Sequence, residues 1–170
     1  MEMNLTKRSF LGAASASLVA LIAGCYRGAG AAGGEGAVAE TFEVNRSPDE
    51  WRRLLTAEQF RVLREEGTER AGSSPLNAEK RTGTYQCAGC ALPVYASATK
   101  FESGTGWPSF YQPIDGAVRT KPDPGLFGTR TEVHCRRCGG HLGHVFEDGP
   151  APTGLRYCMN GAAMTFVPTA

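Results

Sequence analysis

The chain has 170 residues, with 41% hydrophobic and 21% charged, which fits one globular domain with appendages and excludes a low-hydrophobicity disordered protein. Lys+Arg and Asp+Glu nearly cancel, 18 against 17, so no polyanionic partner and no nucleic acid is expected on electrostatic grounds. The 22 Gly and 10 Pro imply many turns and short strands.

The first element is a targeting segment. Lys7 and Arg8 precede an uncharged run from Phe10 to Ala23, suited to a signal sequence and short for a membrane span. Thr6-Lys7-Arg8-Ser9-Phe10-Leu11 resembles a twin-arginine export signal with Lys for the first Arg, and Leu21-Ile22-Ala23-Gly24-Cys25 resembles a lipoprotein cleavage site. Residues 1–25 are therefore expected to be an export signal with lipobox, with a lipid on the Cys25 thiol anchoring the protein to a membrane. The location implied is periplasmic, or a membrane-anchored bacterial lipoprotein. Residues 26–45, rich in Gly and Ala at their start, are expected to be a flexible linker. The folded domain is expected over 46–168.

Ser47-Pro48-Asp49-Glu50 predicts a helix start, with Ser47 as cap, Pro48 in the first turn and Glu50 completing a capping box. Trp51, Leu54 and Leu55 then share one face. Thr56 and Gln59 repeat the start signal, Phe60, Val62 and Leu63 follow, and Gly67 is expected to end this second helix. Residues 68–83 read as loop. Beyond Gly83, Tyr85–Cys87, Val94–Tyr95, Val118–Thr120, Gly128–Cys135, His144–Phe146, Leu155–Met159 and Met164–Val167 alternate or carry β-branched and aromatic residues between Gly and Pro clusters. The fold class expected is mainly β and antiparallel, with short N-terminal helices.

Cys87 and Cys90 form one C-x-x-C pair, and Cys135 and Cys138 a second. Two such pairs suit a tetrahedral four-cysteine structural Zn2+ site, since zinc is borderline-soft and accepts four thiolates. Two disulfides, or a redox C-x-x-C, are the alternatives. A thiolate site in an exported protein is compatible with a route that carries folded, already loaded proteins. With Cys25 lipidated, Cys158 is the one thiol without a partner and a candidate nucleophile. His134, beside Cys135, reads as structural.

Three motifs now stand out: Ser103-Gly104-Thr105-Gly106-Trp107-Pro108-Ser109-Phe110, Cys138 through Pro150, and Arg156-Tyr157-Cys158-Met159-Asn160-Gly161. Together they closely resemble the type B methionine-R-sulfoxide reductases, over about Ser47 to Val167. The resemblance implies two twisted antiparallel sheets and a nucleophile at Cys158. It implies that His141, His144 and Asn160 surround the sulfoxide, and that Trp107 receives the S-methyl group. The product would be a Cys158 sulfenic acid plus methionine, protein-bound or free.

The residue types suit that chemistry on their own terms. Attack on sulfoxide sulfur needs a thiolate, favoured by nearby positive charge, and Arg156 lies two residues away, on the same face of a strand. A histidine can deliver the proton that the oxygen needs. Many relatives carry a second Cys where this chain has Thr105, and that Cys resolves the sulfenic acid. With Thr105 there, the partners expected are an oxidised protein or peptide as substrate and a thioredoxin-like or other external thiol as reductant. A monomer is expected. A non-catalytic zinc-ribbon module and a different cysteine-dependent enzyme are the competing readings.

Overall fold

The computed structural model describes residues 40–125 and 128–169. The expected signal, lipobox and Cys25, and the linker through residue 39, lie outside the described residues. Among those described, no helix is long and apolar enough to cross a membrane.

Two short helices open the domain. Helix α1 spans Pro48–Leu54 and α2 spans Ala57–Glu65, and each starts with a complete capping box, Ser47 with Glu50 and Thr56 with Gln59. The first turn's orphan N–H groups are thereby satisfied, which lets such short helices form against the core. Trp51 and Leu55 are buried, as are Phe60, Val62 and Leu63. Leu54 departs from the face expected for it: it is 58% exposed, because α1 ends there and Leu55 turns into extended backbone toward the core. Gly67 is not the residue that terminates α2. Glu66 takes the left-handed conformation (φ 53°), and Gly67 N–H closes on the Arg61 carbonyl. Gly67 is needed for close approach, since a Cβ there would meet Arg61 O at 2.9 Å.

Among the described residues two antiparallel sheets follow, built from nine strands: β1 Gly83–Cys87, β2 Pro93–Ala96, β3 Lys100–Phe101, β4 Ser109–Phe110, β5 Val118–Gly125, β6 Gly128–Cys135, β7 His141–Phe146, β8 Arg156–Met159 and β9 Met164–Pro168. One sheet has the order β2-β1-β9 and the other β3-β4-β8-β7-β6-β5. β3 and β4 are two residues each, too short to show an alternation. β5 runs through Pro122 and Pro124, which its edge position allows, because an edge residue need not donate on its outer side.

The core gathers one face of the large sheet with the small sheet and helices. Tyr95 stacks on Phe110 at 4.3 Å and Tyr85 meets Phe110 edge-on at 4.9 Å. The Tyr95 hydroxyl reaches Met159 Sδ at 3.1 Å, so a fully buried tyrosine is anchored beneath the strand that carries Cys158. Residues 40–45 lie along the large sheet and its β6–β7 turn. Glu40 binds Arg119 at 2.6 Å and His134 Nε2 at 3.0 Å, and Val44 N–H donates to the Arg137 carbonyl.

Candidate active site and metal centre

The two C-x-x-C turns are built alike. Ala91 N–H donates to the Cys87 carbonyl and Gly139 N–H to the Cys135 carbonyl, and the residue after each second cysteine is left-handed, Ala91 at φ 56° and Gly139 at φ 66°. The tight turn aims both sulfurs of a pair at one point. The four sulfurs lie within 4.8 Å of one another, with Cys87–Cys138 at 3.7 Å and Cys90–Cys135 at 3.5 Å. Sulfurs ~2.3 Å from a tetrahedral zinc stand ~3.8 Å apart, whereas a disulfide needs ~2.05 Å. The spacing therefore fits a shared cation and excludes disulfides within the cluster. Cys87 ends β1 and Cys135 ends β6, so the cluster ties the two sheets together.

Cys158 sits at the centre of the large sheet. Directly opposed residues form a row across it: Lys121 on β5, Glu132 on β6, His144 on β7, Cys158 on β8 and Ser109 on β4. Directly opposed residues share a face, so this row is one polar stripe, and the neighbouring Val133, Met159 and Phe110 point into the core. Close approach of β7 to β8 requires Gly143, because a Cβ there would run into the Cys158 carbonyl and lie 2.9 Å from Met159 Cα.

A cleft of about 130 Å³ opens over the stripe, lined among others by Thr68, Trp107, Arg130, His144, Cys158 and Asn160. Of the residues expected at the site, Cys158, His144, Trp107 and Asn160 thus meet in one cavity. His141 lies behind His144, ring centroids 5.3 Å apart and edge-on, and is buried. Its Nδ1 is 3.0 Å from Glu132 Oε1, while its Nε2 has no partner among the described residues. Burial pushes the Glu132 carboxyl up, but the His141 and Lys121 donors outweigh it and hold it below its ordinary value. Arg156 is paired with both oxygens of Asp148 at 2.8 Å and lies over the Phe146 ring. Asp148 raises the guanidinium pKa, and the neighbouring Cys158 adds to it.

His144 is placed by residues that sequence reasoning missed. Its Nε2 lies 2.7 Å from Asp123 Oδ2, which also binds Arg130 at 2.6 Å. The His144 N–H, then Arg130, keep the Asp123 carboxyl below its usual range. Burial lowers the His144 pKa more than Asp123 raises it. The two shifts agree: a neutral imidazole donates from Nε2 to an ionised, acceptor-only carboxylate, leaving Nδ1 as the ring's free lone pair. Thr105 Oγ1 is 3.8 Å from Cys158 Sγ and 2.9 Å from Ser103 Oγ, which in turn lies 2.7 Å from Ser109 Oγ.

Residues 55–168 match the SelR domain. The peptide methionine sulfoxide reductase MsrB of Leptospira interrogans is 53% identical, covering 74% of this chain and 96% of that one. The chain belongs to the methionine-R-sulfoxide reductase (MsrB) family. The MsrB of Methanosarcina barkeri is 56% identical over 72% of this chain and 87% of its own. The chloroplastic peptide methionine sulfoxide reductase B2 of Arabidopsis thaliana is 49% identical over 74% of this chain and 62% of its own. The SelR match spans both C-x-x-C turns and Cys158, so the metal centre and the cleft belong to one MsrB domain.

Proposed function

We propose that this chain reduces the R epimer of methionine sulfoxide, in oxidised proteins or as the free amino acid, through a sulfenic acid on Cys158. The observation that carries the reading is the placement of Cys158 in a cleft between His144, directly opposite it, and Trp107.

The Cys158 sulfur attacks the sulfoxide sulfur, and the thiol proton passes through His144 Nδ1 to the sulfoxide oxygen. The imidazolium formed in between is stabilised by Asp123, already 2.7 Å away. The S–O bond to the substrate breaks, the oxygen ends on Cys158 as S–OH, and methionine leaves. Thiol plus sulfoxide thus becomes sulfenic acid plus thioether, and the sulfur of Cys158 is oxidised as the substrate's is reduced. Arg156, held by Asp148, places a guanidinium charge beside Cys158. Trp107 offers a flat apolar face to the methyl group. His141 holds the histidine pair in place through Glu132.

Thr105 stands next to Cys158 and cannot form a disulfide. Two equivalents of an external thiol, such as a thioredoxin-like protein, therefore return the sulfenic acid to thiol, releasing water and a disulfide. Zinc held by Cys87, Cys90, Cys135 and Cys138 would be structural, since four thiolates leave it no open position. Export with a lipid on Cys25 rests on the amino-terminal motif, and mass spectrometry of the mature amino terminus tests it.

The deciding experiment incubates the protein with R- or S-methionine sulfoxide and dithiothreitol and measures methionine. Turnover of R alone, lost in Cys158→Ser, is expected. No turnover of either epimer by a folded, zinc-loaded sample overturns the reading.

A further inference from the structure

Glu69 is a buried carboxylate with no role in the chemistry above, and no Lys or Arg side chain partners it among the described residues. Every bond it makes goes to the cleft or to the turn after Cys158. Its Oε1 accepts from Gly161 N–H at 2.6 Å and its Oε2 from Ala162 N–H at 2.8 Å. Its own N–H donates to Asn160 Oδ1 at 2.9 Å, and its carbonyl accepts from the Trp107 indole N–H at 3.2 Å. Thr68, the residue before it, lines the cleft.

The two N–H groups that Glu69 satisfies open the 3-10 turn Gly161–Ala163, whose cap position is Asn160. An asparagine there ordinarily turns its side chain onto the second or third N–H of the turn, and Ala162 N–H is the second. Asn160 makes no such bond. Its amide instead bridges Glu69 N–H and, from Nδ2, the Leu142 carbonyl at 3.2 Å on β7. The carboxylate of Glu69 has taken over the capping, and the Asn160 amide is instead held between Glu69 N–H and the Leu142 carbonyl at the cleft wall. Loop and turn are in close contact, since a Cβ on Gly161 would run into the Ser74 hydroxyl and lie 3.3 Å from Glu69 Oε1.

We infer that Glu69 is a positioning residue of the reaction: it caps the turn after Cys158 in place of Asn160, and so fixes both the Asn160 amide and the Trp107 ring at the cleft. The inference rests on the reading that Asn160 and Trp107 contact the substrate. Without the carboxylate, Asn160 is free to swing onto Ala162 N–H, and the strut holding the Trp107 indole loses its anchor. Displacement of a reacting group's neighbour by ~1 Å can cost about 10²-fold in rate.

The test uses Glu69→Ala and Glu69→Gln in the intact chain, each compared with wild type in two ways. The first is a burst without reductant, in which methionine released per chain gives the competent fraction and its rate gives the chemistry. We expect Glu69→Ala to keep near-full amplitude at a rate lowered about 10²-fold. Glu69→Gln, which retains one acceptor, should recover part of it. A merely structural Glu69 would lower the amplitude and leave the rate unchanged, which overturns the inference. The second is the amide spectrum of Gly161 and Ala162, read without substrate. Both resonances should move in Glu69→Ala, and the Asn160 side-chain amide should move with them. A stationary Asn160 amide overturns the inference even where the rate falls. Absence of a burst in wild type, with the amide shifts as expected, would count against the sulfoxide reading and leave the capping arrangement standing.

Discussion

The four-cysteine cluster and Cys158 put the same sulfur atom to opposite uses within one domain. In the cluster, two turns with left-handed residues point four sulfurs at one another, all within 4.8 Å. At Cys158 a single sulfur stands on a strand, half-buried, open to a cleft, with Thr105 Oγ1 at 3.8 Å and Arg156 beside it. The difference is geometric before it is chemical. A turn brings sulfurs together and closes the site, whereas a strand presents one side chain and leaves space in front of it. The first arrangement stores folding energy and the second keeps a nucleophile accessible.

The sharpest way to break this comparison is to remove one sulfur from each region. Cys138→Ser takes a thiolate from a cluster that joins the two sheets. With metal binding worth ~10–16 kcal/mol in structural zinc peptides, the domain should fail to fold. A circular-dichroism melt checks this, and a cooperative transition near that of wild type would contradict it. Cys158→Ser should change stability by no more than about 0.5 kcal/mol, as for sites outside a packed network. It should abolish methionine release entirely.

Two glycines sharpen the contrast at smaller amplitude. Gly143→Ala forces a methyl group into the backbone of β8 at Cys158, so β7 and β8 must part where the nucleophile meets His144. A rate loss of about 10²-fold is expected in a single-turnover assay. Gly139→Ala acts at the clasp. It places a methyl group at φ 66° against the Phe42 ring, which can move aside. It should cost ~1–2 kcal/mol in a denaturant titration and leave the rate per folded chain unchanged.

The smallest effect is in pH. His144 has a folded pKa lowered from 6.5 by burial. Its contribution to stability is therefore complete above pH 6.5 and is lost as pH falls through the lower folded value. Asp123, also lowered, acts in the same direction at more acid pH. The melting temperature of wild type should fall between pH 7 and 5 more than that of His144→Gln. Parallel curves for the two proteins would contradict the assignment.

Much of this was legible in the chain. Both capping boxes, the two C-x-x-C turns and most strands follow from local chemistry over a few residues, which is why Ser47, Thr56 and the cysteine pairs gave themselves away. Cys158, His144, Trp107 and Asn160 were named by the motifs that contain them. The rest depends on register and on distant pairing. Nothing local says that His144 lies opposite Cys158, since a one-residue slip would reverse the face. Asp123 hides in an edge segment between two prolines, where strand signals fail. Glu69 meets Gly161 across 92 positions, and no short pattern encodes that meeting. Leu54 misled because helical spacing fixes a face only as far as the helix continues.

The central claim is that one sulfur reacts while four hold the structure. The most direct test mixes the reduced, zinc-loaded protein with R-methionine sulfoxide in the absence of any thiol, then counts methionine, free thiols and bound zinc. The account predicts one methionine per chain, the loss of one thiol mapped to Cys158, and zinc fully retained. Methionine formed with loss of thiols from the Cys87, Cys90, Cys135 and Cys138 cluster and release of zinc, or no methionine at all, would contradict it.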